Sequence, residues 1–252
     1  MSSISIITTV LNDEKNIASC INSVKSQKIK KLEHIIVDGG SSDKTFLIIK
    51  KFQKKYNHIK IYRKNKINIY EGLNFAIKKT KNNYIGVLHS DDFYKDSNCL
   101  KLVVKEFKKN KGISALYSNV SIVKRSDINK QVRFFQSRQY SSKDFLNGFH
   151  PPHTSLFIKK KIFKRFGTYN ETLKIASDYE FMLRVFGINK VKNKFVNKTL
   201  IVMKSGGTST KNILNVALSN FEVYKAFKIN KLNYTLNIFI NKLIKKIFQI
   251  RI

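Results

Sequence analysis

Residues 84–94 read YIGVLHSDDFY. An apolar run from Tyr84 through Ile85, Gly86 and Val87 to Leu88 has the length of a buried strand, and it stops at two adjacent carboxylates, Asp91 and Asp92. The chain carries 49 Lys+Arg against 16 Asp+Glu, a formal charge of +33, so paired acids at the end of an apolar strand stand out. The run is also the fourth of its kind, and that series decides the fold.

Upstream, Ile4 to Val10 is a short β-branched run. Asn12 and Asp13 are expected to cap a helix that carries Ile17, Cys20, Ile21 and Val24 on one face. His34, Ile35, Ile36 and Val37 form a second strand ending at Asp38, and Gly39, Gly40, Ser41, Ser42 and Asp43 follow as a turn. A second helix carries Phe46, Ile49, Phe52 and Tyr56; Ile59 to Tyr62 is a third strand; a third helix carries Leu73, Ala76 and Ile77. Strands alternating with helices of this length predict right-handed βαβ units and a mostly parallel α/β sheet flanked by helices.

In such a sheet ligands bind beyond the carboxyl ends of the strands. Thr9 to Asn12, Asp38, and Ser90 with Asp91 and Asp92 all fall there. Each alone is an ordinary turn or cap, and it is the convergence that points to a site.

Beyond about residue 112 the pattern is irregular. Residues 115–117, 120–123 and 154–158 read as strands, and 177–186 as a helix with Tyr179, Met182, Leu183 and Phe186 apolar. The 252 residues, 42% hydrophobic, suit one large domain with a small appendage. The expected division is 1–210, with halves at about 1–112 and 113–210, followed by a helical extension, 211–252. In that extension Leu236, Ile240, Leu243, Ile247 and Ile250 share a helical face, with Lys242, Lys245, Lys246 and Gln249 largely opposite. Such a stripe serves an anionic membrane surface or a packed terminal helix equally well.

Cys20 and Cys99 sit in apolar helical patterns and are expected as buried free thiols. Met1, Ser2 and Ser3 lead straight into a strand with no basic leader region, and no apolar stretch reaches bilayer-spanning length, so a cytoplasmic location is expected. The basic charge suits nucleic acid, an anionic membrane or an anionic substrate, and the abundance of Lys, Asn and Ile points to a codon-composition contribution.

Adjacent carboxylates after a strand suit Mg²⁺ or Mn²⁺ holding phosphate oxygens. Asp178 reads either as a first-turn helix acid or as a general base for an acceptor hydroxyl, and its residue type alone favours the former. His153, after Pro151 and Pro152, reads as a metal or phosphate ligand or as a hydrogen-bonded structural histidine.

Taken in order, four stretches resemble the family 2 glycosyltransferases of GT-A fold. They are Thr9-Val10-Leu11-Asn12; Val37-Asp38-Gly39-Gly40-Ser41-Ser42-Asp43-Lys44-Thr45; His89-Ser90-Asp91-Asp92-Phe93-Tyr94; and Ala176-Ser177-Asp178-Tyr179-Glu180 with Arg184. The similarity is closest to the bacterial branch that builds O-antigen, lipopolysaccharide and capsule. It spans roughly residues 3–210 and takes in His153 to Phe157 and Gly206-Gly207-Thr208-Ser209.

The resemblance implies inverting, metal-dependent transfer from a nucleotide-sugar, UDP being the commonest, to a glycan or lipid-diphosphate-sugar acceptor at the inner face of the cytoplasmic membrane. It implies that Thr9 and Asp38 contact the nucleotide base, that Leu11 stands where an aromatic residue often stacks, and that Asp91 and Asp92 hold ribose, metal and diphosphate, with Asp92 the direct ligand. It further implies Asp178 as catalytic base and places His153 where relatives often carry His. The chain departs from the pattern at Lys66 and Asn68, where Asp-x-Gly is usual.

Two other classes compete. A nucleic-acid-binding module would explain the charge, but no helix-turn-helix, zinc or RNA-recognition signature is visible, so no specific nucleic-acid partner is expected. A nucleotidyltransferase would need a Gly-rich phosphate loop after the first strand, and none follows it.

Overall fold

A computed structural model describes residues 3–206, 213–235, 238, 240 and 241. β1 (Ser3–Val10) and β2 (Lys31–Asp38) are buried along nearly their whole length, because helices cover both faces of the sheet. They run parallel to each other, with β3 (Ile59–Arg63) and β4 (Tyr84–Val87) parallel on either side. α1 (Ile17–Lys25), α2 (Thr45–Lys55) and α3 (Ile69–Lys79) make the crossovers, as the alternation predicts.

The rest of the chain extends this sheet. In order come β5 (Phe93–Tyr94), α4 (Cys99–Lys109), β6 (Ala115–Lys124), β7 (Asp127–Phe135), α5 (Ser142–Leu146), β8 (Phe157–Lys159), α6 (Lys160–Phe166), α7 (Ser177–Met182), β9 (Asn193–Lys204) and α8 (Ile213–Ile229). The spatial order is β3-β2-β1-β4-β8-β6-β9-β5, with β7 paired to β6. β8 is antiparallel to both β4 and β6, whereas β9 runs parallel to β6. One mixed sheet therefore joins the two expected halves of the chain, with helices on both faces.

α1 buries Ile17, Cys20, Ile21 and Val24, the stripe its spacing calls for, and α4 buries Cys99, Leu100, Val103, Val104 and Phe107, whereas of the stripe expected on α2 only Ile49 is buried and Phe46, Phe52 and Tyr56 are half-buried. Fully burying side chains of this size contributes about 1.5–3 kcal/mol each. Both cysteines are buried free thiols. Gly86 lets β8 approach β4 closely, since a Cβ there would stand 2.6 Å from the Phe157 ring.

Several expectations are corrected. Asn12 and Asp13 do not cap α1, whose N-cap position is Asn16 without a side-chain bond. Their side chains bridge loops instead: Ser42 N donates to Asn12 Oδ1, and Ser90 Oγ donates to Asp13 Oδ2. The strands read at 115–117 and 120–123 are one strand, β6, with register shifts against β9 around Asn119. Thr154 and Ser155 lie in a 3-10 turn (His153–Ser155), and the strand begins only at Phe157. The helix at 177 turns π-helical over Leu183–Ile188. Asn68, one of the two departures from the family pattern, accepts from Tyr70 N and Glu71 N while its own N–H donates to Glu71 Oε2, a full capping box for α3.

α8 packs Val223, Ala226 and Phe227 on Ala176, Tyr179 and Leu183. Ile240 of the expected amphipathic stripe is exposed; Leu236, Leu243, Ile247, Ile250 and the lysines at 242, 245 and 246 lie outside the described residues, as do Gly207, Thr208 and Ser209.

Candidate active site

The loops after β1, β2 and β4 open into a cleft of about 740 Å³. Thr9, Leu11, Asp91, Asp92, His153 and Asp178 all line it, so the structure brings together residues far apart in sequence. α3 closes one side. It approaches β1 so nearly that a Cβ on Gly72 would stand 2.8 Å from Thr9 Cγ2. Leu11 is 58% exposed there, and its aliphatic side chain offers no ring for stacking.

Asp38 is placed differently from its expected neighbours. It is fully buried and does not line the cleft, although Val37 and Gly39 do. Its carboxylate accepts from Gly40 N and Ser41 N, each at 3.2 Å, and pairs with Arg63 Nε at 3.3 Å. It is engaged in holding its own turn, in which Gly40 adopts a left-handed φ of 98°.

Asp91 and Asp92 stand in different surroundings. Asp91 Oδ2 pairs with Arg125 Nη2 at 2.5 Å, next to the β6–β7 turn. Asp92 is 2% exposed; Lys204 N donates to its Oδ1 at 3.3 Å, and its Oδ2 is buried with no hydrogen-bond partner. Burial first, and then the neighbouring Asp91 charge, raise the Asp92 carboxyl well above the usual carboxylate range. Among the described residues no three His, Cys, Asp or Glu side chains are grouped to hold a metal by themselves. Mg²⁺ sites of the substrate-assisted kind use one or two carboxylates and complete the shell with phosphates and water. The orphaned Asp92 Oδ2, an oxygen donor in the cleft, fits that chemistry.

Asp178 lies in the first turn of α7, where Ala176 is the N-cap, so it does not act as the side-chain cap. Its Oδ2 is 3.0 Å from His153 Nδ1, and Tyr70 Oη donates to Oδ1 at 3.3 Å. The same phenol donates to Ile175 O at 2.6 Å. Burial, then the Asp178 charge, push the Tyr70 phenol up, so it stays a neutral donor. For Asp178 itself burial works upward, but His153, by charge and hydrogen bond, and then His150 outweigh it, and the carboxyl lies at about 2. An ionised carboxylate only accepts, so His153 Nδ1 carries a hydrogen. His153 Nε2 lies 3.0 Å from His89 Nε2. Burial and then His153 lower His89 to about 4, so His89 is neutral at physiological pH. Both His153 nitrogens are thus engaged by protein groups, which gives it a structural place beside Asp178 instead of a free ligand atom.

His89, Tyr70 and Arg125 escape a reading by residue type. His89 was visible inside the acidic motif, but its link to His153 spans 64 positions.

Residues 5–167 match the family described as Glycosyl transferase family 2. The chain belongs to that family. It is 27% identical over 222 residues to chondroitin synthase of Pasteurella multocida (strain Pm70), covering 87% of this chain and 22% of that protein. It is 27% identical over 212 residues to hyaluronan synthase of Pasteurella multocida, covering 83% and 21%. The chain therefore spans about a fifth of the length of these relatives. Among solved structures, S. aureus TarS 1–349 in complex with UDP-GlcNAc superposes with a TM-score of 0.66 at 19% identity, over 81% of this chain and 58% of that one. The mannosyltransferase PcManGT from Pyrobaculum calidifontis, in complex with GDP-Man and Mn²⁺, gives 0.60 at 16% identity, over 79% and 56%. At these identities the superpositions establish the shared GT-A-type fold.

Proposed function

We propose that the protein is an inverting, divalent-metal-assisted glycosyltransferase that moves a sugar from a nucleotide-sugar, a UDP-sugar first, to a sugar acceptor. The observation that carries this reading is the convergence of Asp178, held by His153 and Tyr70, with Asp91 and Asp92 in one cleft at the carboxyl ends of the strands. The UDP-GlcNAc complex of TarS and the polysaccharide-synthase names of the sequence relatives support it.

The acceptor hydroxyl gives its proton to the Asp178 carboxylate as its oxygen attacks the anomeric carbon. The bond from that carbon to the diphosphate oxygen breaks on the opposite face. One displacement inverts the centre and releases a nucleoside diphosphate, the same single-base logic as an inverting glycosidase. His153 keeps Asp178 ionised, and His153 and Tyr70 together hold its carboxylate in place. Asp92, with Asp91 beside it, would hold the cation, which when bound offsets charge on the departing diphosphate.

In this reading residues 1–112 hold the donor, 113–210 complete the acceptor side, and 211–252 are an extension. A lipid-diphosphate-linked acceptor for bacterial surface polysaccharide, met at the inner face of the cytoplasmic membrane, is part of the proposal. Its support is the outer face of α8, where Leu214, Phe221 and Tyr224 are exposed and Lys225 and Lys228 lie over the Phe221 and Tyr224 rings. No helix among the described residues is long and apolar enough to cross a membrane.

The test is a panel of nucleotide-sugars with Mn²⁺ and a synthetic lipid-diphosphate-sugar acceptor, read by mass spectrometry. A glycosylated acceptor with nucleoside diphosphate is expected. Pyrophosphate release would indicate nucleotidyl transfer instead.

A further inference from the structure

The buried carboxylate of Glu222, on α8, stands outside every motif of the sequence. It is 3% exposed and meets the backbone just ahead of α7. Lys174 N donates to its Oε1 at 2.7 Å, and Ile175 N and Ala176 N donate to its Oε2 at 2.7 and 2.9 Å. Three consecutive amides thus share one carboxylate, an arrangement that fixes a short backbone segment because bonds to an ionised acceptor are short and strong.

That segment leads straight to Asp178. Ile175 is gripped at both ends of its peptide units: its N–H by Glu222, its carbonyl by Tyr70 Oη, which also donates to Asp178 Oδ1. Glu222, Ile175, Tyr70 and Asp178 are therefore linked by consecutive hydrogen bonds. The helix that carries Glu222 also walls the cleft, through Val216, Ser219, Asn220 and Val223.

We infer that Glu222 is a positioning residue: from α8 it sets the backbone of residues 174–176, and through it the aim of Asp178 at the acceptor hydroxyl. The inference rests on Asp178 being the base. In that proposal residues 1–112 hold the donor, whereas the Glu222 carboxylate is bonded to the amides of residues 174–176, so its loss separates catalysis from donor binding. The α8 helix is then an acceptor-side element whose seat determines the turnover rate.

The test uses the full chain and three variants: Glu222→Gln, Tyr70→Phe and Asp178→Asn. Transfer from the donor selected in the panel gives kcat and donor KM; calorimetry with UDP and Mn²⁺ gives affinity; thermal unfolding reports the fold. In Glu222→Gln at least one of the three amides loses its acceptor, and kcat is expected to fall by about 10²-fold, the cost of roughly 1 Å of misplacement. UDP affinity and donor KM should stay within about twofold, a kcat-only loss of the kind that reports an interaction realised in the transition state. Unchanged kcat in Glu222→Gln, with Asp178→Asn inactive, overturns the inference and leaves the base assignment standing. Parallel loss of kcat and UDP affinity also overturns it, by reducing Glu222 to a fold support. Full activity in Asp178→Asn overturns the base assignment itself. Should Glu222→Gln not fold, Tyr70→Phe decides, because it cuts the same linkage without stranding a charge: a kcat-only loss supports the linkage, and unchanged kcat overturns it.

Discussion

Nδ1 of His153 lies 3.0 Å from Oδ2 of Asp178, and this contact holds the Asp178 carboxyl at about 2 despite its burial. The proposed base is therefore ionised across the whole working pH range. Remove the imidazole and burial prevails, so the carboxyl rises. His153→Ala is expected to lower kcat by about 10²-fold and to move the acid limb of the rate profile to higher pH than in the unaltered protein. On that limb activity falls as pH falls, because the protonated carboxyl cannot take the acceptor proton. Superimposable profiles for the two proteins would remove His153 from this role.

The N-terminal sheet and its helices were legible because β1, β2 and β4 carry apolar runs that give way to Asn12, Asp38 and Ser90, with helical stripes between them. Much of the C-terminal half was not. β7 is mostly exposed, and β9 interleaves Lys194, Lys198 and Lys204 with apolar residues, so neither carries clean alternation. The same difference runs through the site. Asp91, Asp92 and Asp178 could be picked out by motif order. The pairing of His89 with His153, of Tyr70 with Ile175, and of Glu222 with residues 174–176 spans 46 to 105 positions and exists only in the folded chain. Asp38 shows the converse: its position after β2 was readable, but its enclosure by Gly40, Ser41 and Arg63 was not.

Asp92 offers a second separation of roles. Its Oδ2 is, among the described residues, the buried carboxylate oxygen with no hydrogen-bond partner, whereas Asp91 is engaged by Arg125. Asp92→Asn should abolish the Mn²⁺ dependence of UDP binding seen by calorimetry and lower transfer by at least about 10²-fold, the scale of losing electrostatic stabilisation of a leaving group. An Asp92→Asn protein whose UDP affinity still rises with Mn²⁺ would contradict the assignment.

Glu180 and Arg184 anchor the helix that presents Asp178. Arg184 Nε and Nη2 meet the two Glu180 oxygens at 2.8 and 2.9 Å, and Arg184 also donates to Phe166 O and Thr168 O. Arg184→Met strands a buried carboxylate and is expected to cost about 3–5 kcal/mol in urea unfolding. A cost below about 1 kcal/mol would mean that the pair is incidental.

His34 gives the fold its own pH response. It is fully buried, with Nε2 3.0 Å from Thr8 Oγ1, and burial, then His58, lower it from 6.5 to about 3. Between those values the unfolded chain binds a proton that the native state refuses, so stability falls as pH falls, by up to about 1.4 kcal/mol per pH unit. His34→Gln should flatten the dependence of the urea midpoint in that window. An unaltered slope would assign the acid sensitivity to other groups.

The account turns on Asp178 as the base of an inverting transfer. Its most direct test is the transfer rate of Asp178→Asn relative to the unaltered protein, measured at equal donor occupancy set by UDP-competition affinities. The account predicts a loss of at least about 10³-fold with donor affinity unchanged; a rate within about tenfold of the unaltered protein would contradict it.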